Sequence, residues 1–123
     1  MKLSYFVLGT NNIEAATRVY DALFAQSDVA PAMPAGRMTY WMGKDFAFAI
    51  ARPFNEEAAT HGNGAMLGLD LGSQEEVHRL HRLALELGAS CEGEPGQRGP
   101  YYSCYVRDLD RNKLCLFSQQ TAA

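Results

Sequence analysis

Apolar and polar positions along this chain spell out a strand, a break and an amphipathic helix, and they do so twice. Leu3-Ser-Tyr-Phe-Val-Leu8 reads as a strand, which Gly9-Thr10-Asn11 interrupts. Asn12 is a good N-cap, since its side-chain oxygen can accept from a free amide of the first turn. Ile13, Ala16, Tyr20, Leu23 and Phe24 then recur at helical spacing and predict one buried stripe. The second pass begins at Ala65, with Ala65-Met-Leu-Gly-Leu-Asp-Leu71 as its strand. Ser73 with Glu76 predicts a capping box. Val77, Leu80, His81, Ala84 and Leu87 form the second stripe, and Gly88 is the expected stop. Tyr5 falls on Met66, Leu8 on Leu69 and Asn12 on Ser73, a constant offset of 61.

Further strands follow each helix. Residues 27–37 contain Pro31 and Pro34, so they predict at best a short edge strand. Met38–Met42 and Phe46–Arg52 predict a hairpin turning at Gly43-Lys44-Asp45. In the second half, residues 91–100 carry three glycines and two prolines and read as a loop or broken strand. Tyr101–Arg107 and Lys113–Ser118 are two strands joined by Asp108-Leu-Asp-Arg-Asn112. The order strand, helix, strand, strand, strand is therefore given twice. The predicted fold class is α+β: two tandem βαβββ modules, about 1–52 and 65–123, with a linker at 53–64, in a single domain of 1–123. Periodicity leaves the strand order within each sheet open.

Composition narrows the partners. The chain has 123 residues, 47% of them hydrophobic, enough for one domain with a real core. A net charge of −3 gives no footprint for nucleic acid. No apolar run approaches the roughly 20 residues of a spanning helix, and no basic amphipathic helix suits a membrane surface. A single Lys precedes the first strand, so no signal peptide is expected. Cys91, Cys104 and Cys115 are odd in number and form no C-x-x-C, which predicts free thiols and a cytoplasmic setting.

Few residues advertise chemistry. His61 lies in the linker and reads as a solvated loop side chain. His78 points off the second helical stripe and His81 into it, which predicts a packed or hydrogen-bonded His81. Asp108-x-Asp110-x-Asn112 starts like a calcium loop but has Lys113 and Gln119 where Gly and Glu belong, so a hairpin turn is the better reading. Tyr101, Tyr102 and Tyr105 suit either a stacked flat ligand or an ordinary strand. No H-E-x-x-H, nucleophile elbow or phosphate-binding glycine loop is present.

Three stretches carry a resemblance: Leu8-Gly-Thr-Asn-Asn-Ile13 with Val19-Tyr-Asp-Ala-Leu23; His61-Gly-Asn-Gly64; and Tyr102 to Cys115. Together with the duplicated βαβββ order, they make the chain similar to the vicinal-oxygen-chelate superfamily of glyoxalases, bleomycin-resistance proteins, fosfomycin-resistance enzymes and extradiol dioxygenases. The turn resembles the family's R-D-P-D-G-N-K, with Leu109 for Pro and Arg111 for Gly. The resemblance implies an open, U-shaped mixed sheet around a pocket, with helices on the outer face. It implies metal ligands from the first and fourth strands of each module. Those positions are Tyr5, Met66 and Cys115, with Phe48 as the counterpart of Cys115 on an offset of 67. None supplies the family's imidazole or carboxylate, so no metal cofactor is expected and a divalent ion is disfavoured.

Within that fold, alternation assigns strand faces. Tyr5, Met66, Phe48, Arg52, Cys115 and Phe117 are expected to line the pocket. Phe6, Leu8, Leu67, Leu69, Ala47, Ala49, Leu114 and Leu116 are expected to receive the helices. The reading is a protein that binds a small apolar or aromatic molecule without the usual metal. The alternatives are a glyoxalase- or dioxygenase-like metalloenzyme (a lyase or oxygenase) with an atypical ligand set, and a structural protein whose pocket its own side chains fill. No catalytic residue is identifiable. The aromatic strands around Tyr40–Trp41 and Tyr101–Tyr105, and the superfamily's habit, imply a homodimer.

Overall fold

The computed structural model describes residues 1–119. The elements run β1 (Tyr5–Gly9), α1 (Ile13–Phe24), β2 (Met33–Ala35), β3 (Met38–Met42), β4 (Ala47–Ala51), β5 (Leu67–Asp70), α2 (Gln74–Glu86), β6 (Ser90–Arg98), β7 (Tyr101–Arg107) and β8 (Lys113–Gln119). The chain divides into two compact units, Met1–His61 and Gly62 onward, and the break falls inside the expected linker.

The first unit is one four-stranded sheet with order β1-β4-β3-β2. β1 pairs with β4 in parallel, and β4, β3 and β2 follow antiparallel. Pro34 sits in the three-residue edge strand, where a missing donor is harmless. Asn12 caps α1 by accepting from the Ala15 amide at 3.1 Å. The helix buries Ala16, Val19, Tyr20, Leu23 and Phe24. Its two aromatics meet two from the sheet. The Tyr20 and Phe48 centroids are 4.8 Å apart, Phe24 and Phe48 5.6 Å, and Phe24 and Trp41 5.8 Å, spacings at which tilted rings attract. Trp41 is fully buried and donates its indole N–H to Asp21.

The second unit repeats the plan with order β5-β8-β7-β6. β5 pairs with β8 in parallel, and β8, β7 and β6 run antiparallel. Identical strand order confirms that the duplicated pattern is a duplicated supersecondary unit. Ser73 accepts from the Glu76 amide at 3.2 Å, but this is half a capping box. The Glu76 carboxylate turns instead to Arg79, with two bonds of 2.7 Å. That bidentate pairing holds Glu76 below the ordinary carboxylate range. α2 buries Val77, Leu80, His81 and Ala84, and the chain leaves it through Gly88 at φ +103°, a conformation that favours glycine.

Residues 90–98 form a nine-residue edge strand where a loop or broken strand was expected. Their glycines and Pro95 mark two register shifts against β7 rather than an absence of pairing. The Asp108–Asn112 segment is a turn, as its composition implied. Asp108 accepts from the amides of Asp110 and Asn112, each at 2.9 Å, and from the Asn112 side chain at 3.0 Å. Among the described residues, no helix is long and apolar enough to cross a membrane.

Candidate functional site

Register decides which side chains share a face. Tyr5 and Val7 of β1 stand beside Ala47 and Ala49 of β4, which stand beside Met42 and Tyr40 of β3. This is the face turned away from α1, because the alternate residues Phe48 and Trp41 contact the helix. Phe48 is therefore a correction. It lies 2% exposed in the core beneath α1, and Ala47 and Ala49 take the opposite face. The ladders show why. Phe6 pairs with Phe48 and Leu67 with Leu114, so the offset between the last strands is 66, not 67. The counterpart of Cys115 is Ala49.

Arg52 falls outside the strand that assigned its face. β4 ends at Ala51, and Arg52 follows it at a cleft of about 660 Å³ that Thr10, Asn11, Arg37 and Phe54 also line. Asn11 ties down the far side of the cleft by exchanging two hydrogen bonds with the Ala59 backbone. Arg37 donates to the Arg52 carbonyl at 2.9 Å and lies over the Phe54 ring at 5.3 Å. The cleft is a polar space with one exposed aromatic ring, not a lined apolar pocket.

Tyr5 stands on the sheet face turned away from α1. The rings of Tyr5 and Tyr40 stack with centroids 6.2 Å apart and planes 15° apart. The Tyr5 hydroxyl donates to that of Tyr40 at 3.3 Å, and Tyr40 in turn reaches the Met38 sulfur at 3.3 Å. The bond to Tyr40, then loss of hydration, raises the Tyr5 phenol above its usual range. Beside this pair, Val7 and Met42 stand 44% and 45% exposed on a rigid sheet. Tyr40 was missed as a site residue, although its position two after Met38 places it on the same face.

In the second unit, Gly68 pairs with Cys115 and Cys115 with Tyr105, while Asp70 pairs with Phe117. Cys115 and Phe117 thus share the face away from α2, as expected. Burial raises the Cys115 thiol, against the lowering effect of a hydrogen bond with Tyr105 and the charges of Arg98 and Lys113. Those two cations each lie 5.1 Å from the Tyr105 ring. Phe117 packs edge-on to Tyr101 at 5.4 Å and closely over Gly68, where an added Cβ would stand 3.3 Å from its ring. Met66 just precedes β5 and is exposed.

These residues do not fit the metal that the family implies. A phenol, a thioether, a raised thiol and an alanine offer no imidazole or carboxylate. Two of the three histidines are engaged elsewhere. His78 meets the Tyr102 hydroxyl at 2.6 Å, and His81 meets Cys91 at 3.3 Å.

No family model matches the chain, and no curated relative matches it. Solved structures do. A glyoxalase/bleomycin resistance protein from Albidiferax ferrireducens T118 is 32% identical, over 96% of this chain and 98% of that one, with a TM-score of 0.89. A glyoxalase/bleomycin resistance protein/dioxygenase family enzyme from Burkholderia phytofirmans PsJN is 17% identical, over 98% and 100%, with a TM-score of 0.77. The fosfomycin resistance protein FosX from Mesorhizobium loti is 19% identical, over 96% and 92%, with a TM-score of 0.69. The last two share the fold. At the identity and coverage of the first, the chain belongs to the glyoxalase/bleomycin resistance protein family, within the vicinal-oxygen-chelate superfamily.

Proposed function

We propose that the protein binds a small apolar or aromatic molecule on the sheet faces turned away from its helices, without a divalent metal at the family's ligand positions. The observation that carries this reading is the Tyr5–Tyr40 face. Tyr5, Val7 and Met42 leave large apolar side chains open to solvent on a rigid sheet, with one paired phenol among them. Exposed apolar surface with a few placed polar groups is what small-molecule sites use. Tyr5 occupies a metal-ligand position of the family and is spent on Tyr40, which favours binding over lyase or oxygenase chemistry.

A titration with the dye 8-anilinonaphthalene-1-sulfonate tests it. Saturable binding is expected, weakened at least about tenfold, or about 1.4 kcal/mol, by Val7→Arg or Met42→Arg with the circular dichroism unchanged. Dye affinity untouched by both substitutions overturns the reading. Trp41 is no reporter for this experiment, because it is sealed beneath α1.

The same reading takes the protein to be a homodimer in a cytoplasmic setting. β2 and β6 end their sheets, and Met33 on β2 is 53% exposed. Open edges and exposed large side chains favour pairing with a second copy, and two-fold dimers are the commonest closed assembly. Light scattering at roughly tens of micromolar, above the dissociation constants of stable dimers, should give twice the chain mass. A monomer defeats this part of the proposal.

A further inference from the structure

We propose that His81, Cys91 and Glu94 form a zinc site between α2 and β6, on the helix side of the second sheet. The family's ligand positions lie on the opposite face of that sheet, so this site stands apart from the binding reading above.

The first ligand comes from the helix. His81 is the one polar member of the buried stripe of α2, with 7% of its surface exposed. A buried imidazole needs partners, and its Nε2 finds the Cys91 sulfur at 3.3 Å. The other two ligands come from β6, and a regular strand could not supply them together. Residues three apart in a strand point to opposite faces. Here Cys91 pairs with Val106 and Gly93 with Tyr105, so β6 carries one residue more than β7 across this step. The extra residue, Glu92, reaches across to Arg107 at 2.8 Å. The bulge re-aims the strand and brings Glu94 to the side of Cys91, leaving the sulfur 3.8 Å from its Oε1.

The bulge is also held in place. Arg98 donates to the Glu94 carbonyl at 2.9 Å and to the Ser103 carbonyl. At Gly93, a Cβ would meet the Tyr105 ring at 2.9 Å and Arg98 at 3.1 Å, so the position needs glycine.

The donor geometry suits one ion. The three ligand atoms lie within 4.8 Å of one another. A tetrahedral zinc with Zn–S of about 2.3 Å and Zn–N of about 2.0 Å sets its donors about 3.5 Å apart. The observed 3.3 and 3.8 Å bracket that spacing. A mixed nitrogen, sulfur and oxygen set disfavours calcium and magnesium, which take oxygen. Binding exchanges the Cys91 proton for a Zn–S bond and releases it to solvent, so thiolate and carboxylate together balance the ion's charge. Three protein ligands leave the fourth position to water. Cys91 is half-buried and Glu94 exposed, which gives the ion a way in.

The test loads the chelator-stripped full chain with Zn²⁺ alone, in competition with a chromophoric chelator. About one equivalent per chain is expected, with a higher Tm on loading. Cys91→Ser and Glu94→Gln, both at accessible positions, should each weaken binding at least about tenfold and abolish the Tm increase. Co²⁺ should give a thiolate charge-transfer band that Cys91→Ser removes. Cys115→Ala, on the opposite face, should bind zinc as the parent does. Uptake below about a tenth of an equivalent, binding unaltered by Cys91→Ser and Glu94→Gln, or binding lost with Cys115→Ala each overturns the proposal.

Discussion

The Phe48 ring lies 4.8 Å from that of Tyr20, beneath α1 and on the opposite side of the sheet from Tyr5. With Phe24 and Trp41 it closes a four-ring core. Phe48→Ala should therefore cost about 3–5 kcal/mol, the usual result of emptying a buried aromatic site. Urea denaturation checks it. A loss below about 1 kcal/mol would place Phe48 outside the core.

The Tyr5 phenol should titrate above the ordinary value of about 10. Its proton is held more tightly in the fold than in the unfolded chain. The stability it contributes is therefore complete below the unfolded value and is lost as pH rises through the folded one. Ultraviolet titration of phenolate formation should show one tyrosine moving down in Tyr40→Phe, where the bond to Tyr40 is gone. Five remaining phenols that titrate as they do in the parent contradict the pairing.

Cys104 should react last of the three thiols. Burial, with smaller effects from Cys115 and Cys91, pushes Cys104 up to about 12. It is also fully shielded, whereas Cys91 and Cys115 are half-buried. Alkylation of the native protein near pH 8, followed by mass spectrometry, should spare Cys104 until denaturant is added, since the thiolate is the nucleophile. Early labelling of Cys104 would show that β7 opens readily.

Gly68 leaves room for Phe117. A Cβ there would stand 3.3 Å from the ring, so Gly68→Val forces Phe117 out of its place against Tyr101. The expected loss is about 1–3 kcal/mol, as for other overpacked sites. The variant should also show shifted Phe117 and Tyr101 ring resonances. Parent-like stability with unshifted rings would contradict the close approach.

Much of the fold was legible because helix caps and stripes are local signals. Asn12 and Ser73 begin the two helices, and Gly88 follows the second. The duplicated order was legible for the same reason. The face of β4 was not. Phe46-Ala-Phe-Ala-Ile-Ala is apolar at every position, so alternation gives no polar side to fix its orientation. Tertiary fit decided it. Tyr20 and Phe24 leave a gap that aromatics fill, and the alanines turn the other way. β6 was hidden by its glycines and proline, which signal a bulged edge strand as readily as a loop. Hence the meeting of Cys91 and Glu94 was invisible too, since it depends on an inserted residue that periodicity treats as noise.

The hydrogen bonds that Asp108 gathers around its own turn close a short connection between β7 and β8. Pairing Arg107 with Lys113 closes a loop of five residues, 108–112. Pairing Leu67 with Leu114 closes one of 46, 68–113. Loop entropy alone separates these steps by about 2 kcal/mol. The β7–β8 pairing is therefore expected to form before the parallel β5 strand docks onto the edge that β8 offers. A short turn between antiparallel strands thus prepares the edge on which a strand from far earlier in the sequence completes the sheet.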